Sequence, residues 1–255
     1  MKYLRSNDQQ LTEVLDLVGG SDSVELKVTV KDSDQRSALL ALDMDVLDAE
    51  FRQVVFFDTL DLKLHKSGLV VRARRIPKGG ETVMKLRPVR PAELAKNLRR
   101  SASFNVEVDA MPGSFVCSAS LKGKADNSDV KMVLAGRKAI RNLFTKEQRD
   151  LYKSHAPKRL DLDTLTPLGP INVAKLKFIP KGYNRFLVAE VWFYPDASRI
   201  LELSTKCAPD EAFQVAAETR GFLKKRGVNV MGEQETKTAK ALHYFSHLHA
   251  RGGRT

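Results

Sequence analysis

The sequence holds only two cysteines, Cys117 and Cys207, too few for a disulfide scaffold or a four-thiolate zinc site. No apolar run approaches the roughly 18 residues that a spanning helix needs, so no membrane-embedded chain is expected. The first ten residues are polar and contain no hydrophobic segment, so a secretory leader is not expected either. No repeat of fixed period, low-complexity tract or linker divides the chain. The phosphate-binding loop G-x-x-x-x-G-K-[ST] is missing, and so is an HExxH frame. His243 and His247 stand four apart on a predicted helix, but with no acid between them they read as a surface face. Together these absences point to a cytoplasmic protein with free thiols.

The chain does have apolar content: 42% of its 255 residues are hydrophobic, enough to build a core and too many for disorder. A single domain over residues 1–255 is the simplest organisation. Lys and Arg number 43 against 31 Asp and Glu, a formal net charge of +12. That excess calls for an anionic partner: nucleic acid, a phosphate metabolite or an anionic lipid surface. Which one depends on where the basic side chains sit.

Short runs that alternate with period two recur along the chain, and such alternation places every second side chain on one face of a strand. They fall at residues 23–30 (SVELKVTV), 53–59 (QVVFFDT), 69–76 (LVVRARRI), 81–89 (ETVMKLRPV), 103–110 (SFNVEVDA), 171–179 (INVAKLKFI), 185–194 (RFLVAEVWFY) and 199–206 (RILELSTK). Eight strands suit a closed barrel. A helix is expected from Ser33, whose hydroxyl can cap it. The segment 113–168 reads as a helical insertion, with helical periodicity at 130–143 and 146–152. Amphipathic helices are expected at 209–226, stopped by Gly227, and at 235–249. Phe56 and Phe57 read as packing residues.

The alternation separates charge from apolar bulk. Arg72 and Arg74 share a face opposite Leu69, Val71 and Ala73; Lys85 and Arg87 lie opposite Met84 and Leu86; Lys175 and Lys177 lie opposite Ala174, Leu176 and Phe178. Acids fall at the same phase: Glu25 with Lys27, Glu107 with Asp109, Glu202 with Lys206. A solvated outer sheet face alternates in the same way. In a barrel, however, helices packed on the apolar exterior would turn the charged face inward, where charges must be paired or solvated. Lys and Arg neutralise phosphate oxygens, and carboxylates tolerate phosphate when a divalent cation stands between them. The mixture reads as a polyanion site with a bridging Mg²⁺ or Mn²⁺.

The ordered motifs resemble the CYTH superfamily, the triphosphate tunnel metalloenzymes. Ser23-Val-Glu25-Leu-Lys27 resembles the family's E-x-E-x-K strand with the first acid replaced. Phe57-Asp-Thr-Leu-Asp61, Leu64, Gly68 and Val71-Arg72-Ala-Arg74-Arg75 resemble its Y-F-D-T-x-D…L…G…L-R-x-R-R block. Thr82-Val-Met-Lys85 resembles its T-x-K strand, and Glu202-Leu-Ser-Thr-Lys206 its late acidic strand. The similarity spans residues 23–226 in the right order. It implies an α+β fold: a closed eight-stranded antiparallel β-barrel, a tunnel for triphosphate, with helices packed outside.

On this resemblance Lys27, Arg72, Arg74, Lys85 and Arg87 match groups that hold phosphate, with Lys175, Lys177 and Lys206 completing the cationic lining. Glu25, Glu107, Asp109, Glu190 and Glu202 are the candidate ligands for Mg²⁺ or Mn²⁺, and Glu25 and Lys27 the candidate catalytic pair. Ser23, Trp192 and Ser204 stand where the family often has acids, which leaves open one metal ion or two. The implied activity is hydrolysis of a triphosphate. Inorganic triphosphate is the most economical substrate, since no base or thiazole pocket is evident. Cyclic AMP formation from ATP, in the manner of class IV adenylyl cyclases, and polyphosphate binding without catalysis are the alternatives. Nucleic acid is the weaker partner because it requires the basic residues outside the barrel.

Overall fold

The alternating runs close on themselves. The protein is described by a computed structural model covering residues 2–229 and 236–252. The strands are β1 (Ser23–Val30), β2 (Glu50–Asp58), β3 (Leu69–Ile76), β4 (Gly79–Leu86), β5 (Phe104–Met111), β6 (Ser114–Ala125), β7 (Thr166–Phe178), β8 (Leu187–Phe193) and β9 (Arg199–Cys207). They form one closed barrel in the order β1-β5-β6-β4-β3-β2-β7-β8-β9. Eight of its strand pairs are antiparallel. The ninth, β1 with β5, is parallel, with Glu25 beside Asp109 and Ser23 beside Glu107.

The barrel therefore has nine strands among the described residues, not eight, and is mixed rather than wholly antiparallel. The added strand is β6, which lies in the segment expected to be helical. Its sequence, SFVCSASLKGKA, is rich in Ser, Ala and Gly, so the apolar alternation is too shallow to stand out. The structure still sorts its side chains by face: Cys117, Ala119 and Leu121 are buried outside the barrel, whereas Val116, Ser120 and Lys122 line its interior.

Helices surround the barrel, all but the last on its exterior. They are α1 (Lys2–Gly19), α2 (Gln35–Ala41), α3 (Lys63–Lys66), α4 (Lys96–Arg99), α5 (Asn127–Leu134), α6 (Lys146–His155), α7 (Ala212–Lys225) and α8 (Lys237–Gly252). The helix α1 was not expected from the sequence. The one expected from Ser33 begins instead at Gln35, after a 3₁₀ turn, because the Ser33 hydroxyl bonds the Asp34 carboxylate rather than a backbone N–H. Residue 235, the expected start of the last helix, lies outside the described residues. α7 stops as expected, before Gly227 at φ +73°.

Outside one side of the barrel, Val71, Ala73, Met84, Ala119 and Leu121 join Val130, Leu151 and Tyr152 of α5 and α6 in one core. Outside another, Leu187, Leu201 and Leu203 meet Leu42 and Leu223. Each Leu so enclosed contributes about 1.5–3 kcal/mol. Phe56 and Phe57 are both buried, as packing residues should be, but on opposite faces: Phe57 meets Phe144 outside, and Phe56 stacks on Trp192. A third cluster explains that second face. Ala241, Leu242 and Phe245 of α8 pack against Val54, Phe56, Val173 and Trp192. Val54, Val173 and Trp192 also line the interior cavity, so α8 is the helix that reaches the lumen. No helix among the described residues is long and apolar enough to cross a membrane.

Candidate active site in the barrel lumen

With the apolar faces covered, the charged faces turn inward. They enclose a cavity of about 480 Å³ lined by ten Lys and Arg side chains against four glutamates. The cations are Lys27, Arg52, Arg72, Arg74, Lys85, Arg87, Lys122, Lys175, Lys206 and Lys237; the glutamates are Glu25, Glu107, Glu190 and Glu202. Each arrives by period-two alternation on its strand except Arg87, which continues the phase of Lys85 just past the end of β4, and Lys237, which begins α8. The parallel β1–β5 pairing sets the acids beside one another, because it puts Glu25 directly opposite Asp109.

Asp109 is the hub of one network. Lys27 Nζ lies 2.6 Å from its Oδ1, while Lys85 Nζ and Arg87 Nη1 lie 3.3 and 3.1 Å from its Oδ2. Burial alone would raise the Asp109 carboxyl, but Lys27, Lys85 and Arg87 outweigh it and hold it well below the usual range. Lys27 also reaches Glu25 Oε2 at 2.9 Å. Burial works against that carboxylate too, yet Lys27 and then Lys237 bring it down to about 2. Glu25 is therefore an anion at neutral pH, suited to holding a cation rather than to carrying a proton. Lys206 pairs with Glu107, and the Ser23 hydroxyl reaches Glu107 Oε2 at 3.5 Å.

Glu25, Glu107 and Asp109 each offer a carboxylate oxygen, and the three oxygens lie within 4.8 Å of one another. Three hard oxygen donors at that spacing fit one Mg²⁺ or Mn²⁺, with remaining positions for water or phosphate. Glu190 and Glu202 stand apart from this trio. They face each other across β8 and β9 and both contact the Lys237 ammonium. Ser204 is buried opposite Lys27.

The other cations of the predicted lining differ in how far they are satisfied. Arg74 pairs with Glu81, and Lys175 lies 3.9 Å from Glu190. Arg72 makes no ion pair among the described residues, and its buried Nε has no hydrogen-bond partner. Burial, with Arg74 beside it, lowers the Arg72 guanidinium to about 10. Burial likewise pushes the Lys85 ammonium down to about 8 in spite of Asp109. In both, burial is the larger cause, and nearby carboxylates do not offset it. Lys177 does not line the cavity; its ammonium sits 4.1 Å from the centre of the Phe186 ring.

Three lining cations went unnoticed in the sequence. Arg52 and Lys122 could have been found, since each is two residues from a lumen-facing neighbour, Val54 and Ser120. Lys237 has no such signal, because nothing local says where the first turn of α8 docks. Of the histidines, His65 also lines the cavity, and its ring lies 6.0 Å from that of His243.

No protein-family model matches the chain, and no curated protein matches it. Solved structures do. One is a candidate adenylate cyclase from Bacillus halodurans, with 13% identity, a TM-score of 0.60, and 86% of this chain and 97% of that one covered. Another is a candidate adenylyl cyclase from Hippeastrum, described as having a dominant triphosphatase activity. It shows 17% identity and a TM-score of 0.60 over 91% of this chain and 96% of that one. At such identities the likeness is one of fold. The chain has the fold of these cyclase-like proteins, a closed barrel with helices outside, which is the architecture its resemblance to the CYTH superfamily implies.

Proposed function

We propose that the protein is a divalent-metal-dependent phosphohydrolase that draws a triphosphate into the barrel. The observation that carries this reading is the lumen's uncompensated charge: Arg72, half-buried with an enclosed Nε and without an ion pair among the described residues, faces a cavity whose wall carries Glu25 and Glu107, converging with Asp109 behind them. A buried guanidinium without an anion is costly, and a phosphate oxygen can take two of its hydrogen bonds at once.

Arg72, Arg74, Lys85 and Arg87 then hold phosphate oxygens, with Lys175 and Lys206 on the flanks. A Mg²⁺ or Mn²⁺ ion on Glu25, Glu107 and Asp109 would neutralise the repulsion between carboxylate and phosphate and polarise the attacking water. Lys27 fixes Glu25 and Asp109 in one orientation, so the acids are placed before any ligand arrives. Phosphoryl transfer asks mainly for positioning and charge stabilisation, which this lining can supply without a covalent intermediate on the protein. The Hippeastrum protein's described triphosphatase activity supports the same choice. For cyclisation a base would have to be seated, yet Trp192, the indole on the cavity wall, is already covered by Phe56 and Lys237.

The test is phosphate release from inorganic triphosphate with Mg²⁺ or Mn²⁺ between pH 6 and about 10, beside an assay for cyclic AMP from ATP. Metal-dependent release on the order of 1 s⁻¹ is expected, without a cyclic product. No release under any condition, with tight polyphosphate binding retained, would leave a binding module; a cyclic product would leave a cyclase.

A further inference from the structure

We propose that Lys237 is a built-in cation for the Glu190–Glu202 pair, so that the lumen takes one divalent ion, on Glu25, Glu107 and Asp109, and not two. The inference deepens the phosphohydrolase reading and rests on it for the role of the first ion.

Glu190 and Glu202 lie directly opposite on neighbouring strands, an arrangement in which like charges repel unless a cation stands between them. That cation is present. Lys237 Nζ is 2.7 Å from Glu202 Oε1 and also bonds Glu190 Oε2. The three side chains are mostly enclosed, with 15%, 7% and 16% of Glu190, Glu202 and Lys237 exposed. The surroundings suit an ammonium. The Trp192 ring centre lies 5.4 Å from Nζ, and its indole N–H donates to Glu190 Oε2 at 3.3 Å. An indole in place of an acid gives a lysine a π-face and gives a metal ion nothing.

The lysine is also held from behind. The Tyr194 hydroxyl donates to the Lys237 carbonyl at 3.4 Å, and the apolar side of α8 is buried against the lumen wall. A divalent ion at this pair would have to expel an ammonium that its own helix returns. The other trio differs. Its cations, Lys27, Lys85, Arg87 and Lys206, all line the cavity and none is carried on a docked helix, so they can turn to phosphate when an ion binds.

The experiment counts Mn²⁺ ions on the full-length protein without substrate, by the electron paramagnetic resonance of free Mn²⁺, with calorimetry beside it, into the millimolar range. Wild type should bind one ion. Glu25→Gln should abolish that binding, and Glu190→Gln should leave it within about twofold. Lys237→Met, which keeps the stem and removes the charge, should gain a second ion, and the Lys237→Met/Glu190→Gln double variant should lose it again. Should Lys237→Met fail to fold, Lys237→Arg keeps the cation and must still bind one ion. Two ions on wild type, none, or Glu190→Gln behaving like Glu25→Gln would each overturn the proposal. Turnover is not part of the count, so an enzyme that binds one ion yet releases no phosphate would sink the hydrolase reading and spare this one.

Discussion

Arg72 and Lys27 carry the same charge at similar depth, but their surroundings set different tasks. Lys27 is satisfied by two carboxylates, whereas Arg72 pairs with none among the described residues. Arg72→Ala should therefore weaken metal-free triphosphate binding by about 10–100-fold, the size of one lost charge-assisted contact of roughly 1.5–3 kcal/mol. Glu25→Ala removes a negative charge beside the phosphates, so metal-free binding should hold or tighten while metal-dependent turnover drops about a hundredfold, roughly 2.7 kcal/mol. Calorimetry with and without Mg²⁺ separates the two classes, and equal weakening in both would show that the charged faces do not bind phosphate. Lys85 adds a pH test. Its ammonium sits at about 8 in the folded protein against an ordinary value of 10.5, so between those values the unfolded chain binds more protons and stability should rise with pH. Over the same window the lumen loses a cation, so metal-free triphosphate affinity should fall. Lys85→Met should flatten both trends in denaturation and binding curves. Affinity that stays level in wild type would remove Lys85 from the phosphate site.

The same physics at the level of whole elements explains what the sequence could disclose. β1, β3 and β9 were legible because large aliphatic residues on one face alternate with charge on the other. In β6 the alternating residues are Cys, Ala and Ser, and no contrast remains. The parallel join of β1 to β5 was not legible at all, since it follows from closing the sheet rather than from any local pattern. At the site, Arg72, Arg74, Lys85 and Arg87 were readable from strand phase, whereas Lys237 needed the docking of a helix, and Lys177 lies on a strand that runs past the cavity. The docking of α6 offers a measurement. Gln148 closes a capping box with Thr145, accepts from Thr82 Oγ1 at 2.9 Å and donates to the Leu121 carbonyl at 3.0 Å, all in a fully buried position. Gln148→Ala should cost about 2–4 kcal/mol by stranding those partners, read as a lower denaturant midpoint. Because none of these groups lines the lumen, triphosphate affinity should survive in the folded fraction. An unchanged midpoint would mean that α6 is held by its apolar face alone.

Across the whole molecule, the question raised by the net charge of +12 becomes one of location. Ten cations line the cavity against four glutamates, with Asp109 buried behind them, so much of the excess lies inside the barrel. Positive charge on an outer surface attracts any polyanion, and a duplex can lie along it. Charge within a narrow lumen selects by width as well as by sign, because the ligand must enter before it is neutralised. A slender chain of phosphates can do so; a duplex cannot, and its phosphates would meet only the rim. α8 sharpens the selection by packing on lumen-wall residues, leaving less room inside. Labelled linear triphosphate or short polyphosphate should thus bind in low salt and be displaced by unlabelled triphosphate, with affinity falling as salt rises. Duplex DNA at the same phosphate concentration should displace at least about tenfold less, since at equal charge only access distinguishes the two. Arg72→Ala should weaken the triphosphate interaction and leave any residual DNA binding unchanged, because Arg72 lines the lumen and not the outer surface. Displacement by duplex DNA equal to that by triphosphate, abolished by the same Arg72 substitution, would place the polyanion site on the outside and refute the tunnel as the seat of binding.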